Sequence, residues 1–198
     1  MKQVIVDYIG SLQFTPEQIN EAIATNNGKL IVSGIMQRGD AFNQNQRKYP
    51  IEILQREAKK YKSVFVAERR ALGELDHPES SVVNLANVSH NVIDLWWDGN
   101  DLMGKIEILA TPSGNIAKEL LRAGIRLGIS SRGMGSVRNL GEGKVEVQDD
   151  FEIVCWDLVS NPSTQGAFMN NLNESVTNQT TDKYSKINSL IGDIISIM

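Results

Sequence analysis

The sequence predicts an α+β fold, a largely antiparallel sheet or barrel with a few packed helices. Three observations support it: helical spacing behind capping residues, several runs rich in branched residues, and an Asp-Gly-Asn turn that joins two of those runs as a hairpin. At 198 residues and 41% hydrophobic, the chain can bury one substantial core.

Thr15-Pro16-Glu17-Gln18 reads as a helix start, with a threonine cap, proline at the first helical position and glutamine three residues after the cap. A short helix to about Ala24 follows. Asn26-Asn27-Gly28 then turns the chain into a branched run at 29–36, the first core strand. Residues 43–48 are polar and read as a loop closed by Tyr49-Pro50, with Arg47 and Tyr49 as loop anchors in preference to catalytic groups. Ile51, Leu54 and Ala58 fall at helical spacing within 51–61.

Partial alternation at 81–88 and 91–97 suits half-buried strands, and Asp98-Gly99-Asn100 turns the second into a hairpin partner at 102–109. Trp96 and Trp97 are read as core and rim aromatics of that hairpin. Thr111-Pro112-Ser113-Gly114 caps a helix bearing Ile116, Leu120, Leu121 and Ile125, which ends at Gly124 or Gly128 and delivers the chain into Ser130. Residues 144–148 and 151–159 read as strands. From 170 to 184 the composition turns to Asn, Ser, Thr and Gln, a linker signature that places the end of the core domain at about 169. Across 185–198, Ile187, Leu190, Ile191, Ile194, Ile195 and Ile197 form an amphipathic helical stripe that needs a partner.

Composition excludes several function classes. Net charge is −4 and no basic cluster interleaves with aromatics, so nucleic acid is not expected as a direct partner. No apolar run reaches 18 residues, and Asp7 interrupts the N-terminal run too early for a secretory signal, so neither membrane insertion nor export is expected. Cys155 is the single cysteine, which rules out an internal disulfide and leaves too few soft ligands for structural zinc. No metal or other cofactor is expected. The phosphate-cradling motif of nucleotide hydrolases is absent.

With two histidines in the chain, candidates for acid–base work are few. His77 lies in Gly73-Glu74-Leu75-Asp76-His77-Pro78, and Ser130 and Ser131 lie in Gly128-Ile129-Ser130-Ser131-Arg132-Gly133. A serine hydroxyl needs a base within reach, and that base needs a third group to hold its tautomer. Ser130 does not sit in a nucleophile elbow, because the following glycine is one position late and both histidines precede the serine. The third member is Asp157, a carboxylate inside the apolar run Ile153-Val154-Cys155-Trp156-Asp157-Leu158-Val159; it is either paired in the interior or directed outward. Adjacent Ser131 is the alternative nucleophile, and on an extended segment only one of the two can meet His77. Arg132 and the backbone of Gly133 offer oxyanion donors, with a surface ion pair as the other reading of Arg132.

The motifs around His77 and Ser130, together with Arg47-x-Tyr49-Pro50, Trp96-Trp97-x-Gly99-Asn100-Asp101 and Arg122-Ala123-Gly124, resemble the prohead core protein proteases of T-even-type bacteriophages over about 31–162. The resemblance implies an assemblin-like fold, a β-barrel surrounded by helices. It implies a serine endopeptidase in the prohead interior, within the cytoplasm of the infected bacterium, cutting scaffold and major capsid proteins. It assigns His77 as general base, Ser130 as nucleophile and Asp157 as the acid; His90 precedes the serine and is read as a structural strand residue. Homo-oligomerisation is left open. The family is associated with cleavage after Leu/Ile-x-Glu, which Leu172-Asn173-Glu174 satisfies, so self-cleavage between Glu174 and Ser175 is expected to release the tail. Ile19-Asn20-Glu21, Leu72-Gly73-Glu74 and Leu140-Gly141-Glu142 fit the same pattern. The competing classes are a non-enzymatic scaffold or assembly protein and a hydrolase of small acyl substrates.

Overall fold

The computed structural model describes residues 16–78 and 80–171. Helix α1 (Pro16–Thr25) buries Ile19 and Ala22, and Asn27 and Gly28, both at positive φ, then reverse the chain into β1 (Leu30–Arg38). A two-residue strand, β2 (Arg47–Lys48), stands where the sequence predicts loop. Helix α2 (Ile51–Tyr61) matches its predicted bounds and runs on into a π-helical turn, Lys62–Val66, that has no sequence signal.

Strand β3 (Leu72–Glu74) precedes the hairpin of β4 (Val88–Asp98) and β5 (Asp101–Ile108). The strand expected at 81–88 forms only at its last residue, and Leu85–Asn87 is a 3-10 turn. The reason is local: the Asn84 side chain accepts from Ala86 N at 3.0 Å, which competes with ladder pairing. Helix α3 (Pro112–Arg122) is capped by Thr111, whose Oγ1 accepts from Gly114 N at 3.0 Å, and Gly124 at positive φ ends it.

The remaining strands are β6 (Gly128–Met134), β7 (Val137–Gly141), β8 (Lys144–Val147), β9 (Glu152–Val159) and β10 (Asn170–Asn171). Asn170 and Asn171, at the start of the stretch expected to be linker, pair with Ser33 and Val32. The remainder of that linker and the C-terminal amphipathic helix lie outside the described residues.

Three sheets result among the described residues: β10-β1-β5-β4-β3, β2-β8-β7 and β6-β9. All pairings are antiparallel except β2 with β8. Hydrogen bonds do not close these sheets into one barrel, but isolated bridges from Leu75 to Leu158 and from Gly128 to Phe168 tie the two-stranded sheet to its surroundings. Trp156 is fully buried in the core, with Tyr61 edge-on at 4.8 Å between centroids, a contact that stabilises by about 1 kcal/mol beyond its area. Trp97 packs against the core and Trp96 is exposed, so the hairpin has one core-side and one rim aromatic, in the reverse of the expected order. No described helix is long and apolar enough to cross a membrane.

Candidate active site

Pairing of β6 with β9 sets the site. Ser130 lies opposite Asp157, Ser131 opposite Trp156, and Arg132 opposite Cys155. Opposed residues share a face and successive residues alternate, so Ser130, Arg132, Cys155 and Asp157 project together while Ser131 projects the other way. The Leu75–Leu158 bridge lays the end of β3 alongside β9 and brings Glu74 and His77 to the first of these faces.

His77 is aimed by the residue before it. Asp76 adopts φ 72°, its N–H donates to Leu158 O at 2.8 Å, and its Oδ1 accepts from His77 N at 2.9 Å. Aspartate tolerates this left-handed backbone because its short side chain can bond locally. The imidazole is thereby turned back so that Nδ1 donates to Asp157 Oδ2 at 2.9 Å, while the ring stays solvent-accessible.

Asp157 is fully buried and paired, so the outward-facing alternative for this carboxylate does not hold. Its Oδ1 accepts from Glu74 N at 3.0 Å and from Arg132 Nη2 at 3.2 Å, and Arg132 Nε lies 3.0 Å from Oδ2. Burial alone would raise its pKa, but the bonds from His77 and Glu74 N and the charge of Arg132 outweigh it and hold the carboxylate below its ordinary range. Asp157 is ionised wherever a histidine base would work.

Arg132 is buried in the same cluster. Beyond Asp157, its Nη2 donates to Glu74 Oε1 at 2.7 Å and its Nη1 to Ser80 O at 2.8 Å. Burial alone would lower its pKa; the bond to Glu74 and the neighbouring acidic groups drive it above the usual value. The pair is therefore interior, and the guanidinium is committed to holding the base's carboxylate partner. At Gly133 the register slips by one residue, with Val154 extra on β9. A Cβ at this position would crowd the Phe151 ring and Glu152 O, so only glycine fits the bulge.

The two serines are placed differently. Ser130 is buried, 3.3 Å from Ser163 Oγ in a hydrogen bond, and Ser131 is half-buried. Neither hydrogen-bonds to His77, whose Nε2 has no hydrogen-bond partner among the described residues. A cavity of about 190 Å³ opens beside the imidazole, lined by His77, Ser131, Arg132, Tyr49, Phe151 and Arg47 among others. Ser130 is not part of its wall.

Cys155 and His90 complete the interior. Burial first, then Asp157, push the Cys155 thiol up to about 12, which leaves it unreactive. His90 is fully buried on β4, with Nδ1 accepting from Ser89 Oγ at 2.9 Å and Nε2 donating to Trp156 O at 3.0 Å. Burial lowers its pKa to about 4, so it is neutral and spans two strands as a structural link. No group of three or more His, Cys, Asp or Glu among the described residues is arranged to hold a metal.

The structure thus brings together His77, Asp157, Arg132 and both serines from three segments of the sequence, with 25 residues separating Arg132 from Asp157 and 80 separating His77 from Asp157. Glu174 and Ser175 lie outside the described residues. Sequence reasoning missed Glu74 as the partner of Arg132, although its motif was noted, and Ser163, which carried no signal. Arg47 and Tyr49, read as loop anchors, stand in the wall of the cavity.

Comparisons with known proteins show the family. The sequence model of a family described as prohead core protein serine protease matches residues 13–180. The prohead core protein protease of Enterobacteria phage T4 is 35% identical over 144 residues, 71% of this chain and 68% of that protein. The solved structure of the bacteriophage T4 capsid assembly protease, gp21, is similar with a TM-score of 0.64 at 33% identity, covering 68% of this chain and 84% of that one.

Proposed function

The chain belongs to the prohead core protein serine protease family, whose work is capsid maturation, and from that premise we propose a serine endopeptidase with His77, Asp157 and Ser130 as its triad. One observation carries the assignment: the register that sets Ser130 beside Asp157 while His77 Nδ1 bonds the same carboxylate. With Nδ1 committed as donor, Nε2 is the acceptor nitrogen and can take the serine proton.

In the proposed sequence, Ser130 Oγ leaves Ser163, rotates toward His77 Nε2 and attacks the scissile carbonyl carbon as its proton passes to the imidazole. Asp157 stabilises the imidazolium. The imidazolium then protonates the departing amine, and water hydrolyses the acyl-enzyme with His77 again as base. Gly133, at the bulge, supplies backbone N–H to the oxyanion, and Arg132 supports it through its backbone while its side chain fixes Asp157. Substrates are scaffold and major capsid proteins within the prohead, cut after Leu/Ile-x-Glu, and the tail beyond Glu174 is removed by self-cleavage. The assemblin-like barrel belongs to the same reading, supported by the bridges at Leu75 and Gly128.

A second assignment has its own observation: Ser131, not Ser130, lines the cavity with His77. A fluorophosphonate label followed by peptide mass mapping separates the two, with the adduct expected on Ser130. On a Leu-Asn-Glu reporter peptide, Ser130→Ala and His77→Ala should each lower kcat/KM by roughly 1000-fold or more, Asp157→Asn by less than His77→Ala, and Ser131→Ala only slightly. An adduct on Ser131 with activity surviving in Ser130→Ala would reassign the nucleophile. If no variant differs from wild type, the scaffold reading stands instead.

A further inference from the structure

The cavity beside His77 is lined by two arginines and by no residue that carries a carboxylate. Its lining comprises Arg47, His77 and Arg132 with serines, glycines, Tyr49, Phe151 and two valines. Arg132 is neutralised from behind by Glu74 and Asp157. Arg47 is not: no described carboxylate pairs with it, and its Nε is buried without a hydrogen-bond partner. Leaving a buried guanidinium donor unpaired is costly, so a site that keeps one awaits an acceptor.

Its neighbours sharpen the contrast. Lys48, next on β2, is matched by Glu146 at 3.0 Å across the parallel pairing with β8, and Glu146 is also bonded by Arg138 at 2.6 Å. Successive strand residues face opposite ways, so the carboxylate that serves Lys48 cannot serve Arg47. The segment presenting Arg47 is held in place beforehand. Asn43 Oδ1 accepts from both Asn45 N and Arg47 N, Asn43 N donates to Arg47 O at 3.0 Å, and Gln46 is held at φ 54°. On the other side Tyr49, buried edge-on against Phe151, forms a rigid wall.

We infer that Arg47 is the specificity-determining residue that receives an acidic side chain of the substrate peptide, next to the bond that is cut. The inference rests on the endopeptidase reading for its position relative to the scissile bond, and on the cavity's charge for its chemistry. A guanidinium with free donors binds a carboxylate bidentately and discriminates against the uncharged amide of the same shape, because a glutamine would oppose N–H to N–H.

Two peptides test it, one with Leu-Asn-Glu before the cut and one with Leu-Asn-Gln. Wild type should prefer the first by roughly 10- to 100-fold in kcat/KM. Arg47→Gln should remove that preference by slowing the glutamate peptide alone, and Arg47→Glu should favour a lysine peptide. Equal loss on both peptides in a folded Arg47→Gln would make the residue structural and overturn the inference, as would an undiminished glutamate preference. Calorimetric binding of the amide-capped tripeptides, acetyl-Leu-Asn-Glu-amide and acetyl-Leu-Asn-Gln-amide, reads the subsite without turnover. Arg47-dependent preference for the glutamate form in a protein that cuts neither peptide would keep the subsite and sink the protease reading. Absence of any such preference sinks the subsite, whatever the protein cuts.

Discussion

At the scale of single residues, the two histidines have opposite environments and therefore opposite behaviour. His77 is accessible and bonded to an ionised partner, whereas His90 is enclosed, with its neutral form held by Ser89 and Trp156. His90 makes stability depend on pH in a definite direction. The unfolded chain takes up a proton near pH 6.5, but the folded one does not until about 4. Between those values the unfolded state binds more protons, so stability falls as pH falls through that window, by about 3 kcal/mol in all. Urea denaturation at several pH values should show this slope, and His90→Gln, though less stable at pH 7.5, should flatten it. An unchanged slope in the variant would remove His90 as the cause. Asp157 acts in the same direction at lower pH: its depressed pKa contributes stability above the unfolded aspartate value that is lost as pH falls toward the folded one.

At the scale of elements, the site depends on how closely β3 approaches β9. Gly73 is buried where a Cβ would overlap the Trp156 carbonyl oxygen and His90 Nε2, so the close approach requires the absence of a side chain. Gly73→Ala should cost about 3 kcal/mol by forcing the strands apart. Because Glu74 and His77 follow directly, reporter-peptide kcat should fall with it. A folded variant with the wild-type urea midpoint would show that β3 is not clamped here. The helices were legible because capping and periodicity are local: α2 and α3 follow from Ile51, Leu54 and Ala58 and from Thr111-Pro112. The misreading at 81–88 came from giving alternation more weight than the Asn84 side chain, which satisfies the backbone locally. Strands β3 and β7 escaped notice because one is three residues long and the other is exposed along its whole length.

At the scale of the whole molecule, the fold sorts the four Leu/Ile-x-Glu matches. Gly73 and Glu74 are buried in β3, Ile19-Asn20-Glu21 lies in α1, and Leu140-Gly141-Glu142 enters a tight turn whose last two residues and Gly143 all have positive φ. A protease needs several residues of accessible backbone free of helix or ladder pairing, which none of these offers without local unfolding. Leu172-Asn173-Glu174 follows immediately on β10, so a cut after Glu174 would leave every described element intact. Intact-mass analysis of matured, active enzyme should therefore find a chain ending at Glu174 and none ending at Glu74. A fully active enzyme continuous across Glu174-Ser175 would end the self-cleavage proposal.

By itself, the sequence determined what local physics encodes. It marked the helices through their caps, the hairpin through its turn, and the chemical candidates through scarcity, since two histidines and one aspartate inside an apolar run left few combinations. It could not choose between an outward and a paired Asp157, because both leave the same apolar run. Only the tertiary structure decided that, by setting Arg132 from one segment and Glu74 N and His77 from another around the carboxylate. The same limit hid Arg47. Its role rests on carboxylates that come to Lys48 and Arg132 but not to it, and which charges go unmatched is a property of strands meeting in space, not of neighbours along the chain.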